Sequence, residues 1–436
     1  MKGLTKGSAR RFRLGPLHER EFRLLFVGRT VSSLGSAIAP IALAFAVLDL
    51  TGSKADLGYV LAARSVPTVL FILFGGIWAD RLPRHRVMVA SNVLSGVTQA
   101  AVAVLLLAGQ ARIWELMVLS AANGASSAFF FPASQGVVPQ TLPRSLLQQG
   151  NALLRLGLNM CIVVGAALGG VLVAATGPGV TIALDAGSFL IAAVVIAEMR
   201  LPSGLRVEGS NMLAELRVGW DEFWSRPWLW AIVLQFGITN AAETGAINVL
   251  GPSIAKAKLG GAAAWGLILT CQAVGLIVAG LLILRLRPRR LLLVATLGRL
   301  INTVLVVALA ITLPLALIAA AALISGAGRE TFGVNWDTAV QQEIPGDKLS
   351  RVSSYDAFGS FVLIPIGLAV VGPIAAAIGT RATLYGLAAL ITAATLAVLV
   401  SRDVRTIERH GKTPAVGPPG ADTGGPFAAH RGEGTR

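Results

Sequence analysis

Gly75-Gly76-Ile77-Trp78-Ala79-Asp80-Arg81-Leu82-Pro83-Arg84-His85-Arg86 sets one acid and three arginines between two long apolar segments. Charge at this density is untenable in hydrocarbon, so the stretch has to be a tight surface turn joining two membrane-spanning helices. The rest of the chain agrees. Of 436 residues, 54% are hydrophobic and only 14% charged, and the mean hydropathy is +0.71, far from the soluble norm. A crossing of a hydrocarbon core about 30 Å thick takes roughly 20 apolar residues as helix. The length therefore accommodates about a dozen crossings with short connections.

Reading apolar runs between charge and Gly/Pro punctuation predicts twelve helices near 23–48, 56–79, 87–109, 113–136, 150–175, 179–199, 228–252, 262–284, 289–312, 314–336, 353–377 and 381–401. The expected fold is all-α and polytopic. It divides into an N-terminal segment (1–22), a six-helix bundle (23–199), a linker (200–227), a second bundle (228–401) and a tail (402–436). The linker stretch Met212 to Trp224 is amphipathic and expected to lie along the interface. The Gly-, Pro- and Thr-rich tail is expected to be disordered.

The net charge of +15 raises the question of nucleic acid, but its distribution excludes that partner. An even helix count puts both termini on one face, and 27 of the 37 Lys and Arg fall on that face. The opposite loops hold Lys54, Arg112, Lys256, Lys258 and Arg381, and the helices hold Arg29, Arg64, Arg155, Arg299 and Arg329. The positive-inside rule then predicts cytoplasmic termini. Arginine outnumbers lysine 30 to 7 amid abundant Ala and Gly, a composition matching a GC-rich bacterial genome and hence a bacterial plasma membrane. No apolar run in the first 20 residues reads as a cleavable signal.

A register repeats inside the chain. A shift of 202 residues carries five of the nine glycines between 124 and 179 onto other glycines, where chance predicts about one. Gly124, Gly157, Gly165, Gly170 and Gly177 land on Gly326, Gly359, Gly367, Gly372 and Gly379. Two parallel six-helix halves follow, with a substrate path between them.

The spacing G-x-x-x-D-R-x-x-R-x-R from Gly76 to Arg86 resembles the signature loop between helices 2 and 3 of the major facilitator superfamily. Further matching stretches are Phe22 to Ser53, Phe131 to Pro143, Asn151 to Gly170 and Asp337 to Gly372. Within that superfamily the chain resembles the drug:proton antiporter-3 group, which includes macrolide efflux and enterobactin export proteins. The resemblance implies twelve helices, alternating access, and multidrug-type efflux of a small amphipathic substrate. It also implies that Asp80, with Arg81, Arg84 and Gly76, forms a gate, where the plain alternative is a turn-forming acid.

Four departures bear on coupling. Helix 5 reads Gly165-Ala166-Ala167-Leu168-Gly169-Gly170 and lacks the kink-forming proline of the antiporter pattern. Ser36 and Ser120 stand where the group carries a helix-1 Asp and a helix-4 Arg, and Leu284 stands at the Asp position of the second, degenerate loop. A proton carrier then has to be one of the remaining membrane acids.

Glu243, in an otherwise uncharged helix, is the first candidate for proton coupling or substrate contact; the alternative is a static pair with an arginine such as Arg64. Glu330 is next. Its neighbour Arg329 points about 100° away, so each is expected to find a partner on another helix. Arg64, Arg329 and Asp185 complete the candidate set for coupling or substrate contact, and Asp185 reads first as a buried hydrogen-bonded support. Gly157, Gly165, Gly169 and Gly170 are expected to bring helix 5 close to helices of the other half.

All four histidines lie in loops or tails and the two cysteines are far apart, so no metal site, disulfide or cofactor is expected. The proton gradient is the expected energy source, and the functional unit a monomer. Gly411-Lys412-Thr413 lacks the upstream glycine of a phosphate loop. A membrane enzyme would need H-E-x-x-H, paired intramembrane Asp or a Ser/Lys dyad, and none stands out. Uptake or uniport remains the alternative within transport.

Overall fold

In the computed structural model the described residues are 15–81, 83–201, 220–286 and 288–408, without the side chains of 72–81, 284, 346, 347 and 350. Twelve membrane helices run through them. They are α1 (Arg20–Thr51), α2 (Lys54–Arg81), α3 (Arg84–Leu107), α4 (Ile113–Thr141), α5 (147–176), α6 (178–197) and α7 (Pro227–Gly245, continued through two π-turns to Leu259). The second half continues with α8 (Ala262–Leu286), α9 (Leu291–Ala310), α10 (Leu315–Glu343), α11 (Gly346–Phe361 and Ile364–Ile378) and α12 (Thr380–Leu399). Helices are the form in which a lone apolar segment satisfies its own backbone groups in lipid.

The turns explain why the chain breaks where it does. Gly52, left-handed at φ 67, caps α1 by donating its N–H to Leu48 O at 3.1 Å. α5 and α6 would be one continuous rod except that Gly177 adopts φ 82, ψ 167 and Pro178 starts the next helix. The uncharged turn between α9 and α10 forces the non-glycine Thr312 to φ 51 ahead of Pro314. Both breaks occur without a charge to mark them.

The predicted helices are all present, most of them longer by a few residues at an end. α11 starts seven residues earlier than expected and is interrupted at Val362–Leu363, ahead of Pro365. Of the amphipathic linker stretch only 220–224 is described, and it is helical; residues 202–219 lie outside the described residues, as does the tail from 409.

The repeat has a packing cause. Gly124 of α4 lies on the backbone of Arg64 in α2, and Gly326 of α10 lies likewise on Gln272 in α8. Gly165 of α5 meets Ala37 of α1, and Gly367 of α11 meets Ala241 of α7. Across the halves, Gly170 of α5 faces Gly266 and Ala262 of α8, while Gly372 of α11 faces Lys54 and Ala55 of α2. A Cβ at any of these six positions would press into a neighbouring helix.

This arrangement corrects one expectation about helix 5. Gly157, Gly165 and Gly169 pack on α1 of their own half, against Phe26, Ala37 and Ile41 or Ile38. Gly170 alone of the four touches the other half. A small-residue face is legible in sequence; which helix it receives is a matter of tertiary register.

Candidate functional site

The interface between the halves is built from α2 against α11 and α5 against α8. At the end bearing the α1–α2, α7–α8 and α11–α12 connections it is sealed by polar contacts. Lys256 pairs with Asp49 at 2.6 Å and donates to Leu48 O at 2.6 Å, and Lys54 donates to Thr380 Oγ1 at 2.6 Å. Toward the end bearing the termini, Arg155 of α5 is within electrostatic reach of Glu330 and Asp337 on α10. Among the described residues it forms no ion pair with either.

Between these ends, residues of α1, α2, α7, α8 and α11 enclose a cavity of about 280 Å³. Its walls are apolar apart from Arg64, Ser65, Thr68, Thr244 and Asn248, the lining expected of a small-molecule site. A larger groove of about 560 Å³ runs between α3 and α4. Its exposed Val104 and Val118 make it a lipid-facing surface.

Glu243 sits in α7 beside this cavity, next to Thr244. Its partner is not Arg64. Arg299 of α9 reaches Glu243 Oε2 at 3.0 Å with both side chains 2% exposed, and Arg329 of α10 reaches Oε1 at 3.5 Å. Asn302 Nδ2 donates to the same carboxylate at 3.2 Å. Arg299 also donates to Thr239 Oγ1 at 3.1 Å and lies over the rings of Phe236 at 4.8 Å and Phe332 at 5.7 Å. One carboxylate thus serves two guanidiniums, with a net positive charge. The Arg329 side chain is 48% exposed, which at mid-helix requires a water-accessible side of α10. Arg329 and Glu330 do not pair with each other.

Asp185 of α6 is buried in the first half. Gln99 Nε2 of α3 donates to its Oδ2 at 2.5 Å, and Oδ1 has no hydrogen-bond partner. Gly35 of α1 lies so close that a Cβ there would strike Asp185 and Ser188. Arg64 is near enough to act on Asp185 through space but not to pair with it.

Of the expected gate, Gly76, Asp80 and Arg81 have no described side chains, although α2 runs as helix to Arg81. Arg84 is described: it donates to Gly136 O at 2.6 Å and fastens the start of α3 to α4. Three consecutive phenylalanines of α4 diverge: Phe129 meets Phe71, Phe130 packs on the buried cluster around Phe22, and Phe131 is 64% exposed. At the bundle end near the linker, Glu222 takes hydrogen bonds from Lys348 at 2.8 Å and from Arg226 at 2.8 Å. These two partners hold its carboxyl below the usual carboxylate range.

Sequence reasoning missed Arg299 as a site residue. The signal was there, since Arg299 is a charge in mid-helix and the depth argument that singled out Glu243 applies equally to it. Gln99 and Asn302 carried no local signal, because neutral polar residues also occur without a charge to hold, and Asp49 and Lys256 carried none because charges are ordinary at helix ends.

Twelve helices in two pseudo-repeated halves around a largely apolar central cavity define a polytopic membrane transporter, not an enzyme. The chain belongs to the Major Facilitator Superfamily, whose family model matches residues 25–367. It is similar to the multidrug efflux pump Tap of Mycolicibacterium fortuitum, 27% identical over 380 residues that cover 84% of this chain and 91% of that one. It is also similar to the enterobactin exporter EntS of Salmonella typhi, 24% identical over 282 residues, covering 64% and 67%. In fold it resembles a crystal structure of a variant of the nucleoside transporter NupG, at TM-score 0.72 and 11% identity, covering 87% of this chain and 99% of that one.

Proposed function

We propose that the protein exports an amphipathic small molecule across a bacterial plasma membrane by alternating access, driven by the proton gradient, as a monomer with cytoplasmic termini. The observation that carries this reading is the unequal closure of the two ends around the central cavity. Asp49–Lys256 and Lys54–Thr380 seal one end, while at the other Arg155 is within electrostatic reach of Glu330 and Asp337 with no ion pair to either among the described residues. With the basic face inside, the sealed end is extracellular. The names of the relatives support export. One chain contains both halves and the cavity, which supports a monomer.

Glu243 is the proposed proton-coupling acid and Glu330 the second candidate. A coupling role for Glu243 works through its contact with Arg329, the half-exposed partner, since Arg299 is locked by Thr239 and two rings. A second reading, uniport without ions, draws on that same pairing, in which Glu243 is only the counter-charge of two arginines. Inverted vesicles loaded with the protein separate the two. Accumulation of a lipophilic dye that collapses with a protonophore fits coupled export, and accumulation that only equilibrates fits uniport. Vesicles that take up no dye at all overturn the export reading.

A further inference from the structure

We infer that the central cavity selects amphipathic anions, with the Arg64 guanidinium receiving a carboxylate or an equivalent acidic group on an otherwise apolar ligand. The inference rests on the proposed transport through this cavity and names the substrate class.

Arg64 is the one ionisable residue among those lining the cavity. Its guanidinium makes no hydrogen bond or ion pair among the described residues. The nearby Asp185 does not take that place, because Gln99 holds one of its oxygens at 2.5 Å and Arg64 acts on it through space alone. A guanidinium presents donors in a planar fork that matches a carboxylate, and it stays protonated at any working pH. Without a hydrogen-bonded partner among the described residues and beside Leu61, Ile364 and Leu368, it is desolvated with only the through-space field of Asp185 to offset the cost. A ligand that supplies an anion removes that cost, and a cationic ligand adds to it.

The position is held by the scaffold. Gly124 of α4 lies directly on the Arg64 backbone, and Thr68 Oγ1 bonds both Arg64 O at 3.0 Å and Gly124 O at 3.1 Å. α2 therefore cannot slide along α4 to withdraw the side chain. The other half has the same helix contact with a neutral residue: Gln272 meets Gly326 as Arg64 meets Gly124. The cation is thus a local choice of residue and not a demand of the repeat. Ser65, Thr244 and Asn248 add neutral donors near the same space, and the apolar remainder accepts a hydrocarbon body.

The test uses the full chain in lipid nanodiscs and three probes of one shape: 2-naphthoate, 2-naphthamide and 2-naphthylmethylammonium. Calorimetric titration is expected to show naphthoate binding about tenfold or more tighter than the amide, with the cation weakest. Arg64→Gln should abolish the preference while leaving amide binding within about twofold, and Arg64→Lys should retain part of it. Equal binding of the three probes to the unaltered protein, or a preference that persists in Arg64→Gln, overturns the inference. Inverted vesicles separate it from the export reading. Naphthoate preference in nanodiscs with no vesicle accumulation of any probe overturns export and leaves the anion site standing. Accumulation indifferent to probe charge and to Arg64→Gln overturns the anion site and leaves export standing.

Discussion

The two halves share a framework of glycines and bury different things inside it. Gly124 and Gly326, Gly165 and Gly367, and Gly170 and Gly372 make equivalent helix contacts at a constant shift. The buried charge follows no such symmetry. The same shift puts Val97 and Ser127 opposite Arg299 and Arg329, and the packing of α1 on α5 puts Ala39 opposite Glu243. Among the described residues the first half instead buries one acid, Asp185, against the neutral Gln99. Backbone approach is what the two halves must keep in common, because it sets how six helices fit together. Charge is free to differ, and the cost of burying Glu243, Arg299 and Asp185 is met by partners inside each half.

The largest expected effect separates those two kinds of burial. Glu243→Gln leaves Arg299 charged, 2% exposed and without its counter-ion, a loss of about 3–5 kcal/mol. Asp185→Asn leaves no cation stranded by a lost ion pair and should cost about 1–2 kcal/mol. Thermal denaturation in detergent ranks the two, and adding Arg299→Met to Glu243→Gln should recover most of the loss. Equal effects of the two single changes would erase the distinction between the halves. Glu243→Gln therefore tests coupling only when transport is normalised to folded protein, a complication absent from the picture of a lone acid.

Next in size is the shared framework. Gly124→Ala and Gly326→Ala each drive a methyl into the backbone of the neighbouring helix, so each should cost about 1–3 kcal/mol, and by similar amounts. A neutral result at one position and a large one at the other would break the equivalence.

The seal between the halves should respond more gently in stability than in conformation. Asp49 and Lys256 are 51% and 39% exposed, so Lys256→Ala should cost under about 1 kcal/mol. The same energy shifts the balance of end states by up to about fivefold. Labelling of a single cysteine placed at Ala44, a cavity residue, from the sealed side should rise accordingly. The smallest effect belongs to Glu222. Its lowered carboxyl pKa means that the Lys348 and Arg226 contacts stabilise the protein above the ordinary carboxylate range and are lost as pH falls through the lowered value. Fluorescence of the Trp220–Trp224 cluster should report an acid transition that Glu222→Gln removes.

The helix count and the halves were legible in the sequence because hydrocarbon imposes a fixed length and a polar boundary on every crossing. Even the unmarked breaks at Gly177 and Thr312 showed, as each lies one or two residues before a proline. Glu243 was legible for the same reason, as a charge where none belongs. Its partners were not, because α7, α9 and α10 meet through tertiary register, and a sequence places charges at a depth without saying which helix they face. Arg64 illustrates the point: at a suitable depth for Glu243, it lines the cavity instead. The destinations of Gly157, Gly165 and Gly169 failed to show for the same reason.

Gly170 and Gly266 meet with their Cα atoms bare, and so do the backbones at Gly372 and Ala55. Where helices interlock through side chains, sliding one past the other means lifting every knob from its hole. These two contacts have no knobs, so they behave as a pair of plain bearings, one on each side of the cavity, that fix the distance between the halves while leaving their angle free. Friction in such a joint is set by the smallest residue in it. A methyl group at Gly170 would turn the bearing into a detent, and its cost would fall on how fast the halves exchange ends.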